Sequence, residues 1–233
     1  MDDRMSETFD LKTTTVRAIN EHLHGLAPDA TGVYEILNPN GSHNIAVGVD
    51  APVEINIRGH AGYFTAGMNK QARVTVYGNV GWSVAENMMS GRVHVKGFAS
   101  QCAGASGHGG LLVIDGDASS RCGISMKGID IVVGGSIGHM SAFMAQAGRL
   151  VVLGDAGKGL GDSLYEAVIY VRGKIHGLGA DARVEDLSEE DRTQIGELLE
   201  QAGLSARPAE FTRVASARTL YHWNPTSPQV SVL

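Results

Sequence analysis

Seven times along the chain an aliphatic alternation closes on glycine. The segments INIRG, VTVYG, VHVKG, LVIDG, IVVGG, LVVLG and IYVRG end at Gly59, Gly78, Gly97, Gly116, Gly135, Gly154 and Gly173. Successive glycines are 19 residues apart at every step, with no insertion or deletion. Four residues before each glycine stand Ile55, Val74, Val93, Leu112, Ile131, Leu150 and Ile169. Two before it stand Ile57, Val76, Val95, Ile114, Val133, Val152 and Val171. A spacing of two places both columns on one face of a short strand.

A unit of this length with one short strand cannot bury its own apolar face, whereas stacked copies can. The pattern therefore predicts an all-β chain: a right-handed parallel β-helix (solenoid) of about seven 19-residue coils, its thin interior lined by the two aliphatic columns. Two residues after the glycine the positions are apolar, Ala61, Val80, Ala99, Ala118, Ile137, Ala156 and Ile175. Seven after it, Ala66, Ala85, Gly104, Gly123, Ala142, Gly161 and Ala180 never exceed alanine. That column marks corners with little room for a side chain. Leucine-rich and hexapeptide repeats fit less well, for want of an Asn or Cys ladder and because 19 is not a multiple of six.

The flanks follow another period. Val16, Ile19, Leu23 and Leu26 lie at helical spacing behind a run of threonines, which predicts an amphipathic helix capping the open end of the solenoid. Residues around Ile36 and Ile45–Val47 suggest an irregular first coil. After the repeats, Ser188-Glu-Glu-Asp191 reads as a capping-box helix start leading to Ile195, Leu198 and Leu199. Three regions result: 1–44, an N-terminal helix and capping segment; 45–183, the glycine-repeat β-helix; and 184–233, a helix and partner-docking tail.

Composition narrows the setting. A net charge of -6 argues against nucleic acid or an anionic membrane as main partner. The acidic first residues contain no signal-type apolar run, and two cysteines outside any CxxC pattern suit a reducing cytoplasm; the expected location is cytoplasmic. The stretch AGASGHGG (103–110) resembles a phosphate loop, but its glycines fall on repeat columns and no GxxxxGK[ST] pattern is present. His60, His94, His108, His139 and His176 occupy five different columns, so no metal site is expected. Cys102 and Cys122 read as buried thiols. Met68, Met88, Met126 and Met144 read as core filler at the corners first, and as further contact surface second. A sugar-cleaving β-helix would use paired acids: Asp117 and Asp155 share one column, Glu86 and Asp162 another, and Asp115 and Asp117 flank Gly116, but solvated turn acids explain them better.

The outward strand positions are more telling. Thr75 and His94 give way to Val113, Val132 and Val151, with Leu111 and Leu153 alongside. An apolar stripe across three coils must be covered, by a terminal segment of the chain or by another subunit. These five residues, with Leu220, Tyr221 and Trp223 of the tail, are the expected partner-docking positions. The seven repeat glycines are the expected structural positions.

The stretch from Ala85 to Ala167 (AENMMSGRVHVKG…DSLYEA) resembles the glycine-repeat β-helix domain at the C-terminus of the glutamate synthase large subunit. It is closer still to stand-alone versions, notably the small subunit of N-methylglutamate synthase (methylamine–glutamate N-methyltransferase). The β-helix component of formylmethanofuran dehydrogenase is a more distant relative. The resemblance covers residues 45–183, with weaker echoes in FDL, VRAIN and LYHW at the two ends. It implies a non-catalytic structural subunit of a heteromeric complex in methylamine or amino-acid metabolism. Such a subunit would brace a glutamine-amidotransferase-like subunit against a synthase subunit carrying FMN and an iron–sulfur cluster. This chain is expected to hold no cofactor or metal and no catalytic residue. Met1-Asp-Asp supplies no N-terminal cysteine, and two cysteines are too few for a cluster. The alternatives are the β-helix of another glutamate synthase-like or formyl-transfer complex, and a polysaccharide-acting enzyme.

Overall fold

The computed structural model describes residues 5–218. Its strands are β1 (Met5–Asp10), β2 (Gly32–Leu37), β3 (Glu54–Arg58), β4 (Arg73–Val76), β5 (Arg92–Val95), β6 (Leu111–Ile114), β7 (Lys127–Val133), β8 (Ala147–Val152), β9 (Val168–Val171), β10 (Ala182–Glu185) and β11 (Thr212–Ser216). Two α-helices accompany them, α1 (Val16–His24) and α2 (Glu189–Ala202). All strands belong to one sheet, ordered β1 to β9, then β11 and β10. Strands β1 to β9 are parallel neighbours, and the molecule is a parallel β-helix.

The register follows the repeat. Ile55, Val74, Val93, Leu112, Ile131, Leu150 and Ile169 are successive pairing partners, and so are Ile57 through Val171 two residues on. All of these side chains are buried in one continuous core. The column from Ala61 to Ile175 forms a second line of single bridges. At the repeat glycine the preceding coil leaves no space: a Cβ on Gly78 would lie 2.7 Å from the Gly59 carbonyl carbon, and one on Gly135 2.2 Å from Asp117 Oδ1.

Between these ladders the chain turns by an unusual device. Phe64, Ala66 and Met68 have φ of 59°, 54° and 55°, and the same alternate positions are left-handed in the next coils, for example Ser83, Ala85 and Asn87. Non-glycine residues in that region cost roughly 1 kcal/mol each. Full backbone pairing offsets the cost, because the alternation aims successive N–H groups at opposite neighbours. Ala85 N–H donates back to Thr65 O (3.0 Å), while Ser83 and Asn87 donate forward to Gln101 O and Ala105 O (2.9 Å each).

The stack starts earlier than residue 45. Strand β2 pairs with β3 through Tyr34–Ile55 and Ile36–Ile57, adding the irregular coil, and β1 pairs with β2. Residues 45–47 lie in a turn and not in a strand, with Ile45 and Ala46 fully buried. Helix α1, N-capped by Thr15, turns Ile19 and Leu23 into the core. Its Asn20 replaces a missing coil: Oδ1 accepts from Ala46 N–H (3.0 Å) and Nδ2 donates to Asn44 O (2.7 Å). The capping helix read from the sequence thus satisfies corner backbone that a preceding coil would otherwise pair. At the far end, β11 runs antiparallel to β9 and β10 to β11.

Candidate docking surface

The apolar stripe is where the structure corrects the sequence. Val113, Val132 and Val151 are fully buried and Leu111 nearly so, under Ile195, Leu198, Leu199 and Ala202 of α2, with Leu153 packed at the edge. The chain therefore covers its own stripe, and these five residues are not a docking surface. Helix α2 can do so because its buried residues, Ile195, Leu198, Leu199 and Ala202, recur at helical spacing on one face. Leu220, Tyr221 and Trp223 lie outside the described residues.

A buried polar network fastens α2. Ser188 and Asp191 form a capping box, and Gly203 closes the helix in the left-handed conformation. The Asp191 carboxylate also accepts from Tyr170 Oη (2.6 Å), Arg213 Nε (3.1 Å) and Ser188 Oγ (2.6 Å). Burial pushes its pKa up, but the hydrogen bonds from Ser188, Tyr170 and Arg213 outweigh that and hold it at about 2. Tyr170, buried and donating to a carboxylate, is pushed well above its usual range.

With the stripe covered, the exposed apolar surface lies elsewhere. His43, Tyr63 and Trp82 stack along the solenoid axis, ring centroids 4.3 and 5.5 Å apart and planes within 20° of parallel. Tyr63 is 41% and Trp82 48% exposed, with Phe64 at 43% on the adjoining position. Glycines make room for the rings: a Cβ on Gly81 would come 2.6 Å from Tyr63 Cδ1. Stacked rings cover one another's faces and present their edges, a ridge suited to protein contact rather than to sugar stacking. Beside His43, a cleft of about 410 Å³ runs between α1 and the first corner, lined by Arg17, Asn20, Glu21 and His24 among others.

One position in this region departs from a structural rule. Immediately after the repeat glycine, a side-chain acceptor caps the equivalent N–H of the next coil. His60 Nδ1 accepts from Asn79 (2.9 Å), Asn79 Oδ1 from Phe98 (3.1 Å), Asp117 Oδ1 from Ser136 (2.7 Å), Ser136 Oγ from Asp155 (3.0 Å) and Asp155 Oδ1 from Lys174 (2.8 Å). Phe98 sits where an acceptor belongs. It is 53% exposed, and among the described residues the Asp117 N–H has no acceptor. Phe98 is thus a large apolar side chain left in water at the expense of a cap.

The remaining candidates have structural work. Asp115 pairs with His94 Nε2 (2.6 Å) and Lys96 (3.4 Å); burial lowers the His94 pKa and outweighs the hydrogen bond from Asp115, which raises it. Asp117 and Asp155 are ladder caps, the latter also facing His176 at 3.4 Å. Cys122 is buried and Cys102 half-buried, both as free thiols. Met88 and Met126 fill the core as expected, whereas Met68 and Met144 are half exposed and do not. Within AGASGHGG, Gly104 has φ of +68° and a Cβ there would lie 2.5 Å from Ile131 Cδ1. Among the described residues no group of three or more His, Cys, Asp or Glu could hold a metal ion. Nor is any helix among them long and apolar enough to cross a membrane.

Sequence comparison places the chain. It is 57% identical over 218 residues to Protein GlxC of Rhizobium meliloti (strain 1021), an alignment spanning 93% of this chain and 96% of that protein. The chain belongs to the GlxC family. No protein-family model matches it.

The aromatic ridge of this GlxC-family chain escaped the sequence reading although its signal was present. His43 precedes Tyr63 by 20 residues, and Tyr63 precedes Trp82 by 19. Attention to apolar columns that point inward passes over a column that is aromatic in only two repeats.

Proposed function

We propose that the chain is a non-catalytic structural subunit of a glutamate-synthase-type complex, most specifically N-methylglutamate synthase. In this reading it braces a glutamine-amidotransferase-like subunit and a synthase subunit that carries FMN and an iron–sulfur cluster. Membership of the GlxC family and the resemblance of residues 45–183 to the glycine-repeat domain of glutamate synthase support it. The observation that carries the scaffold role is the exposed ridge of His43, Tyr63 and Trp82, with Phe98 nearby in the repeat. Aromatic residues that are half exposed and held rigid by stacking are the type of side chain that dominates protein–protein contacts.

Co-purification with the neighbouring subunits tests the reading. The wild-type chain should bring down partners whose visible spectrum shows flavin and iron–sulfur absorbance, while the isolated chain is colourless. Tyr63→Ala combined with Trp82→Ala should remove at least one partner without altering the chain's own thermal melt. Flavin binding or turnover by the isolated chain would sink the proposal, as would unchanged co-purification of the double variant.

A further inference from the structure

The outward column one residue before the first inward aliphatic reads Glu54, Arg73, Arg92, Leu111, Asp130, Arg149 and Val168, each the pairing partner of the next. Low in this column, acid and base alternate. Arg149 donates from Nε (2.8 Å) and Nη2 (2.6 Å) to the two carboxylate oxygens of Asp130. Higher up, Arg73 and Arg92 are direct neighbours, on strands ~4.8 Å apart, and among the described residues no carboxylate makes an ion pair with either. Glu54, across from Arg73, instead accepts from Asn56 Nδ2 (3.1 Å).

We propose that Arg73 and Arg92 form a binding site for a carboxylate group on the outer face of β4 and β5, beside the end of α2. The site is a cleft of about 380 Å³ lined by Gln71, Arg73, Gly91, Arg92, Leu111 and Gln201. Arg92 is half-buried, and one of its guanidinium N–H groups is committed to Gln201 O at 2.5 Å, which fixes the fork's orientation. Burial, then the charge of Arg73, lowers its pKa against a smaller opposing pull from Asp115, so the two arginines stand together against repulsion in a chain of net charge -6. A bound anion would relieve both penalties. The planar fork of arginine matches a carboxylate in two parallel hydrogen bonds, as Arg149 shows in the same column. The carbonyl end of α2 carries partial negative charge, which opposes any anion but penalises the roughly −2 concentrated on one phosphate group more than the single charge of each carboxylate group. The volume lies near the small end of ligand pockets, ~300–1,000 Å³; it admits a short dicarboxylic acid or one or two acidic side chains. The site goes beyond the bracing role and stands whether or not that role is correct.

The test follows arginine Nε resonances of the full chain by NMR, titrated separately with succinate, with a hexaglutamate peptide and with inorganic phosphate. A saturable shift of Arg73 and Arg92 with succinate supports a free acid as ligand; one with the peptide alone supports an acidic protein segment. Arg73→Gln, at an exposed position, should weaken binding roughly tenfold, the loss of one charge-assisted hydrogen bond. Gln71→Glu should weaken it comparably by placing a tethered carboxylate in the cleft. The proposal is overturned if neither acid gives a saturable shift, if phosphate binds more tightly than both, or if affinity is unchanged in Arg73→Gln.

Discussion

Replacing Asp191 by alanine should release α2 from the solenoid. Three things are lost together: the reciprocal cap with Ser188, the acceptor for Tyr170 Oη, and one of the two carboxylates around Arg213, which retains Glu185. Loss of a cap costs about 1 kcal/mol, and a buried hydroxyl left without an acceptor about 1–3 kcal/mol. Tyr170 is 1% exposed and water cannot replace the partner, so the expected total is about 3 kcal/mol. Hydrogen exchange of the α2 amides reads this locally, without requiring the solenoid to unfold as one unit. The pH dependence gives a second measure. The Asp191 carboxyl titrates at about 2 when folded against an ordinary 3.8. A depressed carboxylate pKa stabilises fully above the unfolded value and loses its contribution as pH falls through the folded one. About 2 kcal/mol of α2 docking should therefore disappear between roughly pH 5 and pH 2 in the wild type and not in Asp191→Asn. In a double-mutant cycle, Tyr170→Phe should recover about 1–2 kcal/mol of the Asp191→Ala cost. A cost below about 1 kcal/mol, or strict additivity with Tyr170→Phe, would refute the reasoning.

Other consequences can be checked with single variants. Phe98→Asn should stabilise the chain by about 0.5–1 kcal/mol in chemical denaturation, because its amide oxygen would cap Asp117 N–H as Asn79 caps Phe98; the same change should weaken partner binding. Gly104→Val should cost about 3 kcal/mol, since a β-branched residue must adopt φ of +68° with its Cβ against Ile131. Gly104→Ala should cost about 1 kcal/mol or less, because Ala85 and Ala142 occupy the same corner position at φ of 55°. Thiol labelling of the native protein should modify Cys102 first. Cys122, whose burial and neighbouring Cys102 push its pKa up to about 12, should react on the order of a hundredfold more slowly until denaturant opens the coil.

Much of the solenoid was legible because its constraints repeat. A residue in a stacked coil meets its own copies above and below, so each column is seven readings of one environment. The inward aliphatic pairs, the small corner and the repeat glycine could each be assigned from identity alone, and Gly104 does occupy the corner its column indicates. The left-handed corner itself was invisible, because Phe64, Met68, Arg121 and Met140 hold positive φ without glycine. Their backbone is held there by hydrogen bonds to the adjoining coils, and side-chain identity carries no trace of that.

The ends show the same division. Sequence alone determined that α1 and α2 form, where α2 starts, and that the stripe of Val113, Val132 and Val151 must be covered. It could not determine what covers it. An amphipathic helix carries its apolar face wherever it goes, and whether that face meets its own sheet or another subunit depends on chain path. Tertiary structure decided that α2 folds back onto the stripe, leaving the aromatic ridge as exposed apolar surface. It also brought Arg73 and Arg92 side by side with no ion pair to either among the described residues, a juxtaposition that exists only once the coils are stacked. Periodic burial is written into composition, column by column; contacts between segments of different period are settled only by the packed chain.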